Sequence, residues 1–117
     1  MFICGRQYFL TLPKGTLFSR YMPSIFQDLC IKKETIYDKE QAIDFYYVDL
    51  VSNIECSSSD EQNDILSLAE RYGSNFSFEY AENRDGMFDG KGLFVVYTKE
   101  DTKKLIDVLL STFLNED

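Results

Sequence analysis

Residues 42–52, AIDFYYVDLVS, constrain the fold more than any other stretch of the chain. Aromatic and β-branched side chains dominate it, which favours an extended strand. Alternation then places Ile43, Phe45, Tyr47, Asp49 and Val51 on one face and Asp44, Tyr46, Val48 and Leu50 on the other. Both faces are mainly apolar, so the strand must be covered on each side and belongs in the middle of a sheet. Asp44 and Asp49 have opposite parity and cannot share one face. At least one of them must therefore lie near a strand end or be covered by a partner, because an uncompensated buried carboxylate is too costly.

Other elements follow from periodicity and from breakers. Residues 7–12 (QYFLTL) read as a short strand ending at Pro13 and Gly15. Leu17, Phe18, Tyr21, Met22, Ile25, Phe26, Leu29 and Cys30 then recur at helical spacing, which predicts a helix that Pro23 kinks or restarts. Lys32–Gln41 reads as a charged connection. The run Ser58-Ser59-Asp60-Glu61 is a capping-box pattern, predicting a helix with a core stripe of Ile65, Leu68, Ala69 and Tyr72 that stops at Gly73. Phe76, Phe78 and Tyr80 alternate with Ser77, Glu79 and Ala81 as in a half-buried strand. Residues 93–98 (LFVVYT) predict another, and the glycines at 86, 90 and 92 a hairpin loop between the two.

Thr98 caps a last helix, with Glu100 and Asp101 at its positive end. Its wide apolar stripe is Leu105, Ile106, Val108, Leu109, Leu110, Phe113 and Leu114, of which Leu105, Ile106, Leu109 and Phe113 are expected to be buried. The order β-α-β-α-β-β-α implies an α+β fold: one small acidic domain over residues 1–117, with a four-stranded, mainly antiparallel sheet and three helices. Eighteen Phe and Tyr residues are ample for the core of a chain of 117 residues.

The chemistry is constrained by what is missing. The chain contains no histidine, so it has no Ser-His or Cys-His nucleophile pair and no imidazole metal ligand. No catalytic residue is assigned, and a non-enzymatic protein is expected. A small enzyme using carboxylate acid–base chemistry is the weaker alternative. Cys4, Cys30 and Cys56 lack C-x-x-C spacing, which argues against structural zinc and for a reducing compartment.

Two loop signatures fail on inspection. Gly86–Gly92 falls one residue short of a phosphate-binding loop and lacks the Ser or Thr after Lys91. Counted from Asp85, a calcium loop would need an acid where Val96 stands. No metal and no cofactor are expected. The opening MFICGRQYFLTLP has no basic residue before its apolar stretch, so no signal peptide is read there. No apolar run approaches the ~18 residues of a membrane helix. A cytoplasmic protein without nucleic-acid or membrane partners is expected.

Charge supplies the functional expectation. Glu34 to Asp64 holds nine acids and one base, and its balance of −8 equals that of the whole chain. Such asymmetry repels nucleic acid and anionic membrane and steers toward cationic partners. A solubilising surface normally mixes both signs. On the second helix Asp60 and Asp64 stand four residues apart, a like-charge spacing that costs about 0.2–0.5 kcal/mol. The expected contact set is Glu34, Asp38, Glu40, Asp44, Asp49, Glu55, Asp60, Glu61 and Asp64, with Met87 and Phe88 as apolar anchors. A carboxylate-rich patch mimics nucleic-acid phosphate, so arginine and lysine clefts accept it. The expected role is therefore inhibition of a basic protein, as an immunity protein or antitoxin neutralises a nuclease toxin. A phage-encoded inhibitor of host nucleic-acid defence, of the anti-CRISPR or anti-restriction type, is the alternative with the same physics.

Overall fold

In the computed structural model, the residues described are 1–51, 53–86 and 91–115; Met87 and Phe88 lie outside them. Among the described residues, seven strands form one open antiparallel sheet. They are β1 (Phe2–Gly5), β2 (Leu17–Met22), β3 (Ile25–Phe26), β4 (Cys30–Asp38), β5 (Gln41–Asp49), β6 (Glu82–Arg84) and β7 (Leu93–Val96). The order is β1-β7-β2-β4-β5-β6, with β3 paired to β2. The helices are α1 (Arg6–Leu10), α2 (Ser59–Tyr72) and α3 (Lys99–Phe113). The fold is α+β with three helices, as expected, but the sheet has seven strands and not four.

β5 is an interior strand but not the central one: it stands next to last in the sheet, with the three-residue β6 outside it. It lies between β4 and β6, and Phe45 and Val48, of opposite parity, are both 0% exposed. On one side α1 closes the core. Its single turn sets Arg6, Phe9 and Leu10 at positions i, i+3 and i+4, all buried against the sheet. The Phe9 ring stacks on Phe94 at 4.1 Å and meets Phe18 and Phe45 edge-on at 4.7 and 5.0 Å. These are the preferred aromatic geometries, and they add to the burial of four large rings.

Four local expectations are corrected. The segment 7–12 is not a strand: the strand is the preceding FICG, and most of QYFLTL belongs to α1 or the turn after it. Residues 17–30 are not a kinked helix. Met22 pairs with Ile25 across Pro23 and Ser24, the latter at φ 67°, so the proline marks a hairpin turn. In that run nearly every position is apolar or aromatic, so helical and extended periods fit equally well, and sheet pairing decides. The charged connection Lys32–Gln41 is mostly strand β4, joined to β5 by a tight turn with Lys39 at φ 57°. Finally, Phe76, Phe78 and Tyr80 are all at least half exposed and contribute only one bridge, Ile54 to Phe78.

Both long helices start where the sequence indicates, and α2 also stops where it indicates. The Ser58 side chain accepts the Glu61 amide, and Gly73 ends α2 in the left-handed conformation at φ 70°. Thr98 and Asp101 form a reciprocal capping box at α3. Yet neither helix buries a single residue. Leu105 is half-buried, whereas Ile106, Leu109 and Phe113 are 56, 64 and 83% exposed, contrary to the expected core stripe. On α2, Ile65 and Ala69 are half-buried while Leu68 and Tyr72 are exposed. Aromatic packing under α1 fills the sheet core without them.

Candidate functional site: a buried ionic network and an outward acidic ridge

The expected contact acids separate into three environments. Asp44 leaves the surface altogether. It is 0% exposed, accepting from Arg84 Nε at 2.6 Å, from Arg6 at 3.1 Å and from the Gly86 amide at 3.0 Å. The partner that its place in an apolar strand requires is therefore supplied from within the chain. Arg6 also binds Asp85 at 2.7 Å; Asp85 accepts from Arg20 at 2.5 Å, and Arg20 from the other side holds Asp28 at 2.6 Å. Among the described residues, the guanidiniums of Arg6, Arg20 and Arg84 and the carboxylates of Asp28, Asp44 and Asp85 thus form a network reaching from α1 across β2 and β5 to β6 and the residue after it.

Burial alone would push the Asp44 carboxyl up. The hydrogen bonds from Arg84, the Phe45 and Gly86 amides and Arg6 outweigh that and hold it below the usual carboxylate range. Burial would likewise lower the Arg20 guanidinium, but its bonds to Asp85 and Asp28 move it above its ordinary value. The Arg20 guanidinium lies 4.4 Å over the Tyr47 ring, which adds a cation–π contact. Cys30, 3.9 Å from Arg20, is pushed far up by burial first and then by Asp28 and Asp49, so it stays a protonated thiol. A cavity of about 470 Å³ opens beside Arg6, Arg20 and Asp85. The depressed Asp44 carboxyl is held as an acceptor, a state suited to holding strands together.

A second group of acids lies outside this network, exposed or half-buried. Glu34 is exposed and paired with Lys14 at 2.9 Å, which draws its carboxyl below the ordinary value. Asp49, at the end of β5, accepts the Val51 amide at 2.9 Å. Asp38 and Glu40 flank the β4–β5 turn and are exposed. Glu55 is also exposed, with its amide donating to Ser77.

A third group stands on α2. Asp60, Glu61 and Asp64 are all exposed on its first two turns. Glu61 accepts from the Ser57 amide and hydroxyl, which lowers its pKa. Asp60, Asp64, Leu68 and Tyr72 follow one another at intervals of four and form a single ridge, and every member is exposed. Its composition is two carboxylates followed by a leucine and a tyrosine. The acidic segment is contiguous in sequence, but Asp44 is buried within it, so its nine acids do not all share the surface.

Sequence reasoning missed Arg6, Arg20, Asp28, Arg84 and Asp85. One signal was available: a charged residue inside an apolar run, as with Arg20 between Phe18 and Tyr21, asks for a buried counter-ion just as Asp44 does. Among the described residues no group of three His, Cys, Asp or Glu side chains is arranged to hold a metal ion, and no helix is long and apolar enough to cross a membrane. Comparison of the chain with protein-family models, curated proteins and solved structures returned no match.

Proposed function

We propose that this protein is a stoichiometric inhibitor that covers the cationic surface of a basic partner, in the manner of a cytoplasmic immunity protein neutralising a nuclease toxin. The observation that carries the reading is the α2 ridge Asp60-Asp64-Leu68-Tyr72, exposed along its whole length. Two carboxylates aligned on one helix face can receive arginine or lysine side chains that otherwise hold phosphate. Leu68 and Tyr72, 49 and 71% exposed, supply the apolar and aromatic anchors that concentrate binding energy once water is excluded. A helix laid by one face into a groove is an established recognition geometry. The net charge of −8 adds long-range steering toward the same class of partner.

The test is affinity capture followed by association kinetics with the purified captured protein. That protein is expected to be basic. Asp60→Lys with Asp64→Lys slows association by about tenfold or more, the corresponding Asn changes less, and rising salt slows the wild type. Leu68→Ala with Tyr72→Ala acts instead on dissociation. Asp64, Leu68 and Tyr72 are exposed beyond the first turn, so their changes each cost the fold less than about 0.5 kcal/mol, while Asp60→Lys also loses about 0.3–1 kcal/mol at the helix N-terminus, which helical circular dichroism checks. Equal binding by the charge-reversed variant, with association indifferent to salt, overturns the proposal.

A further inference from the structure

A cleft of about 570 Å³ opens where the first turns of α3 face the α1–β2 turn and the adjoining ends of β2 and β7. Small-molecule sites usually measure roughly 300–1,000 Å³. The apolar lining is Phe2, Leu12, Leu17, Val96 and Ile106, drawn from five separate segments. Val96 and Leu12 join this lining to the phenylalanine core, while Phe2 and Ile106 are 40 and 56% exposed. Apolar surface is therefore open to a ligand on two sides of the cleft.

The walls are held by bonds within the chain. Gly15, at φ 95°, donates its amide to the Lys32 carbonyl at 2.7 Å, and the Thr16 hydroxyl donates to the Pro13 carbonyl at 2.7 Å. The Tyr97 amide donates to the Leu17 carbonyl at 3.0 Å. The Met1 amine meets Asp101 at 2.7 Å and ties the first turn of α3 to β1. A site fixed in this way loses little freedom when it is filled.

The charge of the cleft is opposite to that of the chain. Among the described residues, the charged ones that line it are Lys14, Lys99 and Lys103, with no acid. Lys14 is offset by Glu34 at 2.9 Å, but Lys99 and Lys103 form no ion pair among the described residues. Lys99, Thr102, Lys103 and Ile106 stand at i, i+3, i+4 and i+7, on one face of α3. Two ammoniums four residues apart repel each other, and an anion between them turns that repulsion into attraction.

We propose that this cleft binds a small amphiphilic anion, an acid carried on a hydrocarbon body. The acid group sits between Lys99 and Lys103, and the body covers Phe2, Leu17 and Ile106. The net charge of −8 disfavours the same acid group on an anionic bilayer or a polyanion. A free monoanion within the roughly 8 Å Debye length of the lysines responds mainly to them. No residue of α2 lines the cleft, so the site is independent of the inhibitor reading.

The experiment titrates the isotope-labelled full chain with decanoate and follows backbone amides by NMR. Saturable shifts at one-to-one stoichiometry are expected in residues 12–17 and at Val96, Tyr97, Thr102 and Lys103. Decyltrimethylammonium, a cation of the same chain length, is expected to leave these amides unmoved. Inorganic phosphate is expected to bind about tenfold more weakly or less, because it has no apolar body. Lys99→Gln with Lys103→Gln weakens decanoate binding about tenfold, and both side chains are exposed, so the fold is retained. Leu110→Ala with Phe113→Ala, farther along the helix and outside the cleft, leaves the affinity unchanged. The proposal is overturned by a lack of saturation at millimolar decanoate, by shifts centred on Leu110 and Phe113, by equal binding of the cation or of phosphate, or by full affinity in the double lysine variant. None of these readouts involves the basic partner, so failure here is distinct from failure of the inhibitor proposal.

Discussion

The sheet interior and the two long helices are built on opposite terms. Under α1, four phenylalanine rings pack against one another, and a network of arginines and aspartates joins strands far apart in sequence. α2 and α3 bury no residue fully; beyond a few half-buried side chains and the Met1–Asp101 ion pair, they rest on their caps and their own backbone bonds. An isolated helix of 14 or 15 residues is marginal in water, so helices this exposed draw little stability from the body of the protein. The difference separates two jobs. The interior fixes the fold, and the helices offer surface.

The largest expected effects lie in the interior. Asp44→Ala leaves Arg6 and Arg84 facing a lost counter-ion and is expected to cost about 3–5 kcal/mol, as removal of one member of a buried ion pair does. Phe9→Ala, which empties the space between three rings, falls in the same range of about 3–5 kcal/mol. Urea unfolding measures both, and a loss below about 1 kcal/mol for either breaks the comparison. Acid sharpens it further. The folded pKa of Asp44 is depressed, so its stabilisation is complete above the unfolded carboxylate value near 3.9 and is lost as pH falls through the lower folded value. Asp101 behaves alike at the other region: the Met1 amine, then the Thr98 hydroxyl and amide, bring it down to about 2, so its hold on α3 weakens between the ordinary value and about pH 2.

Intermediate effects belong to the caps. Ser58→Ala and Thr98→Ala each remove a side-chain acceptor from a helix start and are expected to cost about 1 kcal/mol of local helix stability. Because the helices bury no residue, the loss is expected in helical circular dichroism and in amide exchange of α2 or α3, with the sheet amides unmoved. Coupled loss of sheet protection would show that the helices are integrated after all.

The smallest effect is Leu109→Ala, below about 0.5 kcal/mol for a side chain that is 64% exposed. A buried leucine at the same substitution would lose about 2–5 kcal/mol. Thermal melts of the variant separate the two cases.

The sequence by itself determined the features that are local or that follow from a single strand's composition. Ser58, Gly73 and Thr98 carry their helix boundaries in their own hydrogen-bonding and conformational preferences. The two-faced apolar run at 42–52 announces an interior strand, and the opposite parity of Asp44 and Asp49 announces that one acid needs a partner. Only the tertiary structure decided the rest. Leu17–Cys30 satisfies both helical and extended periods, and pairing of β2 with β7 and β4 resolved it in favour of strands. The counter-ions of Asp44 come from Arg6 and Arg84, 38 and 40 residues away, a match that no local pattern encodes. An apolar stripe such as Leu105–Phe113 states only that a face avoids water. Whether the chain's own sheet covers it depends on how much of that sheet other side chains fill, and Phe9 and Leu10 on one short turn are part of a core that α3 does not join.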